Sequence, residues 1–226
     1  MGIFDFFGSK KDDGNVASLR KNTLPAFTIE EQKEILADVE KEIYGYGEEV
    51  SHDVWHFFGG VGHSCSAETE CEGSQGFISN LKKKQALRLI CRDIYTENDL
   101  VRIVVTKNIS AGWAFTKDSF CLGGRWSIVY GGNLIIPYGK IMDASFNPLR
   151  DEFSITYNIY DENVEENLSI NEEYAEYADS SDSGYKDMGN GKKSISIRSR
   201  SELAPAQGKD FKILCNYLQA VMNFYK

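Results

Sequence analysis

The sequence predicts an α+β fold, in which a mainly helical N-terminal region precedes an antiparallel β region that ends in one amphipathic helix. Two observations carry this prediction. After Asp99, short β-branched and aromatic runs follow one another, as in WSIVY, FSITYNIY and SISI. The chain then closes with an apolar stripe at helical spacing from Phe211 to Tyr225. With 226 residues, 42% of them hydrophobic, the chain is long enough to bury a sizeable core.

The first 99 residues are expected to hold a lead, two helices and a long irregular segment. Residues 1–27 join an aromatic stub to a polar stretch without period, which indicates a flexible lead. Thr28 and Glu31 form the pattern of a capping box, and Gly45 and Gly47 would end the helix that follows. A second helix is expected from a cap at Ser79 to about Asp93. The apolar residues of the two helices are Ile35, Leu36, Val39 and Ile43 in the first, and Leu87, Ile90, Cys91 and Ile94 in the second.

Glycine pairs and alternation predict how the strands of the β region are joined. Gly123-Gly124 and Gly131-Gly132-Asn133 separate β-like runs, so we expect hairpin turns there and antiparallel neighbours. In FSITYNIY the apolar residues alternate with polar ones, which is typical of a strand with one face on a core. Residues 161–187 hold ten Asp or Glu against one Lys, which predicts a long acidic loop with a strand near 168–170.

The order of these short elements resembles a known fold family. The runs WAFTKDSFCL, LIIPYGKIMDASF and FSITYNIY, followed by the final helix, are similar in arrangement to pleckstrin-homology-like (PH-like) domains, in particular the bacterial ones. The resemblance covers residues 100–226 and implies an antiparallel β-barrel or sandwich with a C-terminal amphipathic helix. It divides the chain into a lead (1–27), a helical and loop region (28–99) and a PH-like domain (100–226). In the phosphoinositide pattern of this family Lys117 and Arg125 match, but Ser127 replaces the last Arg, which counts against headgroup binding.

Charge and hydropathy narrow the class of partner and the compartment. A net charge of −9 disfavours nucleic acid and anionic lipid as partners. No apolar run approaches the roughly eighteen residues that a transmembrane helix needs, and Asp5 interrupts the one hydrophobic start. The five cysteines are odd in number and are not clustered as in a disulfide framework. We therefore expect reduced thiols and a cytoplasmic location.

The stretch HDVWHFFGGVGH holds all three histidines and suggests a metal site as the alternative to a purely structural role. On a helix, His52 and His56 would project from one face and could meet one zinc ion. The zinc-protease pattern, however, needs Glu where Asp53 stands, and His63 lies one residue late. A structural zinc site would draw on some of these three histidines and of Cys65, Cys71 and Cys91, and no other cofactor is indicated. In the ordinary alternative, Trp55, Phe57 and Phe58 pack and the histidines bond or face solvent.

The second predicted helix carries a basic side that could contact a partner. Lys84, Arg88 and Arg92 recur every fourth residue, next to Lys82 and Lys83. A solvated face explains this spacing as well, and the acidic segment 161–187 is a further candidate for its counterpart. The sequence therefore predicts a non-catalytic interaction module for a protein or peptide, by analogy with immunity proteins and phage-derived factors. The alternative is a zinc-binding protein or a metal-dependent hydrolase that uses His52, His56 and His63.

Overall fold

The computed structural model describes residues 26–45, 54–58, 80–106, 109, 111–127, 130–158, 165–170, 185–198 and 209–225. Within these ranges the chain forms three α-helices and ten β-strands, so the predicted α+β class is confirmed. The helices are α1 (Ile29–Tyr44), α2 (Asn80–Cys91) and α3 (Lys209–Met222). The strands are β1 (Trp55–Phe58), β2 (Leu100–Thr106), β3 (Ala111–Thr116), β4 (Ser119–Ser127), β5 (Tyr130–Pro137), β6 (Ile141–Asn147), β7 (Glu152–Asn158), β8 (Glu165–Ile170), β9 (Tyr185–Gly189) and β10 (Lys192–Arg198).

The described strands form two sheets and do not close into one barrel. The larger sheet has six strands in the order β1-β2-β3-β4-β5-β8, and the smaller has four in the order β6-β7-β10-β9. Every neighbouring pair is antiparallel except β1 and β2, which run parallel with Trp55 opposite Ile103. A parallel pair needs a long crossover, and α2 lies in the chain between these two strands.

Two hydrophobic cores lie on opposite faces of the six-stranded sheet. Successive residues of β2 point to different cores, because Val104 joins the larger one and Ile103 the smaller one. The larger core also takes in β6, β7 and β10 together with α1 and α3. The smaller core lies under α2, where Ala86 and Ile90 are fully buried. In β7 every second residue is buried, as the alternation in FSITYNIY predicts.

The helix ends and apolar faces follow the sequence closely. Thr28 and Glu31 form the capping box, with the Glu31 amide donating to Thr28 Oγ1 at 3.2 Å and the Thr28 amide donating to Glu31 Oε2 at 2.7 Å. Gly45 ends α1 with φ at +102°, a conformation that favours glycine. The stripe on α3 is buried and packs against β6, β7 and α1. The strand expected near 168–170 is β8, and the domain boundaries drawn at residues 27 and 99 stay predictions.

Both glycine clusters lie inside strands, so the hairpin turns predicted at them are wrong. Gly123 and Gly124 belong to β4, and Gly131 and Gly132 belong to β5. Gly123 serves a different purpose, because a Cβ atom there would lie 2.2 Å from the Leu89 carbonyl oxygen of α2. Gly112 pairs with Gly123 and would place its Cβ 2.4 Å from Ile90 Cδ1. The two glycines thus let α2 approach the sheet closely.

Candidate functional site

The basic side that the sequence predicted for the second helix is exposed on the outer side of α2. Lys84, Arg88 and Arg92, which we call the basic face, are all exposed. Residues 80–92 hold five basic residues and no acidic one, whereas the whole chain has 25 basic and 34 acidic residues. The same helix buries Ala86, Ile90 and Cys91 on its other side. The basic face is therefore a local reversal of charge on an acidic protein.

Close packing holds α2 in a fixed position on the sheet. The helix contacts β3, β4 and β5, with Gly112 and Gly123 beneath it. At its end the amide of Arg92 donates to the Arg88 carbonyl at 3.2 Å. Arg92 and Asp93 then adopt positive φ values of 52° and 58°, which turn the chain away. The basic face is thus displayed on a rigid element, and rigid elements present contact residues more reproducibly than loops do.

A polar cluster of three side chains ties β1 and the start of α2 to the segment before β2. Glu97 Oε1 accepts hydrogen bonds from Lys83 Nζ at 2.5 Å and from the indole nitrogen of Trp55 at 2.9 Å. Lys83 Nζ also lies 5.3 Å from the centre of the Trp55 ring. The hydrogen bond from Lys83 lowers the pKa of the Glu97 carboxyl below its ordinary value. Lys83 is thereby committed within the fold through Glu97 and Trp55.

A buried ion pair between α1 and β2 is the charged feature that sequence reasoning missed. Arg102 Nη1 donates to Glu40 Oε1, and both residues are 7% exposed. Burial lowers the pKa of Arg102 to about 10. Nearby, the Tyr44 hydroxyl donates to Asp210 Oδ1 at 3.0 Å and links α1 to α3. The sequence did contain a signal, because Glu40 falls on the apolar stripe of α1 and Arg102 interrupts the apolar run LVRIVV.

Buried tyrosines and one glutamine join the elements at the β3–β4 turn. The Tyr95 hydroxyl donates to Asp118 Oδ1 and lies 2.7 Å from Ser119 Oγ. The Tyr217 hydroxyl donates to Gln32 Oε1 at 2.8 Å, and Gln32 Nε2 donates to the Lys117 carbonyl at 2.7 Å. Burial raises the pKa of both tyrosines well above the ordinary value, so both stay neutral and act as hydrogen-bonding groups in the cores.

The backbone positions of the two residues that match the phosphoinositide pattern lie far apart along the β3–β4 hairpin. Lys117 lies in the β3–β4 turn, where its Nζ contacts Asp99 Oδ1 at 2.7 Å. Arg125 lies near the opposite end of β4, roughly 25 Å along an extended strand.

The residues of the predicted metal site are mostly outside the described ranges, which is where His52, His63, Cys65 and Cys71 fall. His56 lies in β1 opposite Val104, so the assumption that it shares a helical face with His52 does not hold. Cys91 is a buried free thiol in the smaller core. Within the described residues, no group of three or more His, Cys, Asp or Glu side chains could hold a metal ion. The zinc site stays a prediction.

The chain matches no protein-family model, no curated protein and no solved structure. None of the described helices is long and apolar enough to span a membrane.

Proposed function

We propose that this protein is a non-catalytic module that binds a protein or peptide partner through the basic face of α2. The observation that carries the proposal is the exposure of Lys84 and Arg88 on the outer side of α2, and of Arg92 just after its end, in a chain with a net charge of −9. Such segregated charge steers a complementary partner and fixes its orientation. The overall negative charge opposes long-range attraction of nucleic acid and anionic membranes, which favours a protein partner.

The lysines at the start of α2 do not serve helix stability. Lys82, Lys83 and Lys84 follow the first residues of the helix, and its first turn has no acidic residue. Cations at a helix N-terminus oppose the helix dipole, at a cost of about 0.3–1 kcal/mol each. Selection for folding alone would favour acidic residues there, as in α1 with Glu30 and Glu31. Lys83 serves the fold through Glu97 and Trp55, and a binding role accounts for Lys84.

We also propose that residues 100–226 form a PH-like scaffold. Its support is the chain order: four successive antiparallel strands, β2 to β5, precede a second sheet that contains β6, β7 and β10. The C-terminal helix α3 then packs against β6 and β7. PH-like domains share this order of meander, second sheet and closing helix, and their scaffolds serve many binding functions.

Affinity capture from an extract of the organism that makes the protein tests the function. The bait is the full chain, compared with a Lys84→Glu, Arg88→Glu, Arg92→Glu variant. The control, Lys186→Glu, Lys192→Glu, Lys212→Glu, changes the net charge equally at exposed sites on β9, β10 and α3. We expect one specific protein to be retained by the wild type and the control and lost by the α2 variant. A protein retained equally by all three would remove the basic face from the contact, and the absence of any retained protein would contradict the function.

A further inference from the structure

We infer that Leu81 and the basic face together form one docking strip for an acidic protein segment that carries an aliphatic side chain. This inference rests on the proposed function, and it specifies the partner's chemistry. Leu81 is 66% exposed at the start of α2. A single exposed leucine is common on protein surfaces. Its position relative to the cations is what indicates a binding role.

Helical geometry places Leu81 in line with the cations. At about 100° per residue, residues 81, 85 and 88 fall within roughly 60° of one another, and Lys84 lies beside them. Arg92 follows directly after the end of the helix and is also exposed. Gln85 is also exposed, so the strip is continuous along the helix from Leu81 to Arg88. The buried residue Ile90 lies on the opposite side of the helix, against the sheet. The strip is therefore the side of α2 that faces away from the protein.

The chemistry of the strip selects its partner. Two arginines and a lysine are suited to carboxylates, and arginine can bind them through two parallel hydrogen bonds. Leu81 supplies an apolar contact at one end of the row, where an aliphatic side chain of the partner would be shielded from water. A lipid surface fits less well, because the apolar side of α2 is already buried in the smaller core and only one leucine faces outward.

Binding of designed peptides to the full chain tests the inference. The probe is a short capped helical peptide with glutamates at i and i+4 and one leucine beside them. The first comparison peptide replaces the leucine by alanine, and the second replaces the glutamates by glutamine. The protein variants are Leu81→Ala, the α2 charge-reversal variant and the matched control on β9, β10 and α3. Duplex DNA and vesicles of anionic phospholipid are the competing ligands, and circular dichroism checks that each variant is folded.

We expect charge reversal on α2 to weaken peptide binding at least about tenfold at low salt, while the control stays within about twofold. Leu81→Ala, or loss of the peptide's leucine, should weaken binding by roughly fivefold. Equal binding by all variants would overturn the inference, as would tighter binding of DNA or vesicles than of the peptide. If the extract experiment retains a protein while the peptide results fail, the inference falls and the proposed function stands.

Discussion

At the scale of single residues, we expect the buried ion pair of Glu40 and Arg102 to fix the position of α1 more than it stabilises the fold. The pair joins α1 to β2 at a site where both residues are 7% exposed. Removing two charges from water costs several kcal/mol, which their attraction only partly offsets. One carboxylate oxygen of Glu40 has no hydrogen-bond partner among the described residues, which adds to the cost. We therefore expect the pair to orient α1 on the sheet while adding little net stability.

Breaking the ion pair on one side should be worse than removing it altogether. We expect Arg102→Met to lower the free energy of unfolding by about 3–5 kcal/mol, because Glu40 would stay buried without a cation. The double variant Glu40→Leu, Arg102→Met should be more stable than Arg102→Met alone, because neither charge remains. Urea denaturation of the three proteins measures the difference. A double variant no more stable than Arg102→Met would contradict this account, because removing the unpaired Glu40 carboxylate would then bring no recovery.

Gly123 tests how closely α2 approaches the sheet. A Cβ atom there would meet the Leu89 carbonyl oxygen at 2.2 Å and Ile90 Cα at 2.8 Å, and backbone atoms cannot move aside cheaply. We expect Gly123→Ala to destabilise the fold by about 1–3 kcal/mol. Gly139→Ala is the control, because its Cβ would lie 3.6 Å from Tyr225 in ordinary contact. Thermal melting compares the stability of the two variants. An equal loss in both would contradict the close approach of α2 to the sheet at Gly123.

At the scale of elements, the sequence predicts a structure well where one local pattern decides it. The capping box at Thr28 and the stripe on α3 each determine an element without help from distant residues. Gly123 could not be interpreted in this way, because glycine marks both turns and close backbone approach, and only the helix above it distinguishes the two. The strand β1 was missed because it pairs with β2 across a long crossover, and WHFF alone is too short to indicate a strand.

The candidate site likewise has one part that a local sequence pattern predicts and one part that it does not. The basic face follows from helical spacing, so Lys84, Arg88 and Arg92 could be predicted together. The Trp55–Lys83–Glu97 cluster depends on three segments meeting in space, for which no local pattern exists.

The buried stripe of α3 yields a prediction for an element as a whole. Leu214 and Leu218 are fully buried, so each Leu→Ala change should cost about 2–5 kcal/mol. Lys212→Ala, at an exposed position, should cost less than about 0.5 kcal/mol. Gln219 is exposed, but its side chain donates to the Ala144 carbonyl at 2.7 Å, so Gln219→Ala should cost about 1 kcal/mol. Equilibrium denaturation measures the free energy of unfolding of each variant. A loss for Lys212→Ala as large as for Leu218→Ala would contradict the packing of α3.

At the scale of the whole molecule, one sheet connects the proposed contact surface to the main core. The six-stranded sheet carries α2 on one face and the larger core on the other. Residues such as Ile103 and Val104, adjacent in β2, belong to different cores. The helix that carries the basic face is therefore supported by a sheet with a core on each side, which holds the backbone from which its cations project.

Acetylation of lysines in the presence and absence of the captured partner tests most directly whether that partner contacts the basic face. Mass spectrometry of one sample reports Lys84 together with Lys186 and Lys212, which are exposed on β9 and α3 and serve as internal controls. We expect binding to lower the acetylation rate of Lys84 several-fold, because a carboxylate partner would cover its amine, and to leave Lys186 and Lys212 unchanged. An unchanged rate at Lys84, with protection at Lys186 or Lys212 instead, would contradict binding through α2.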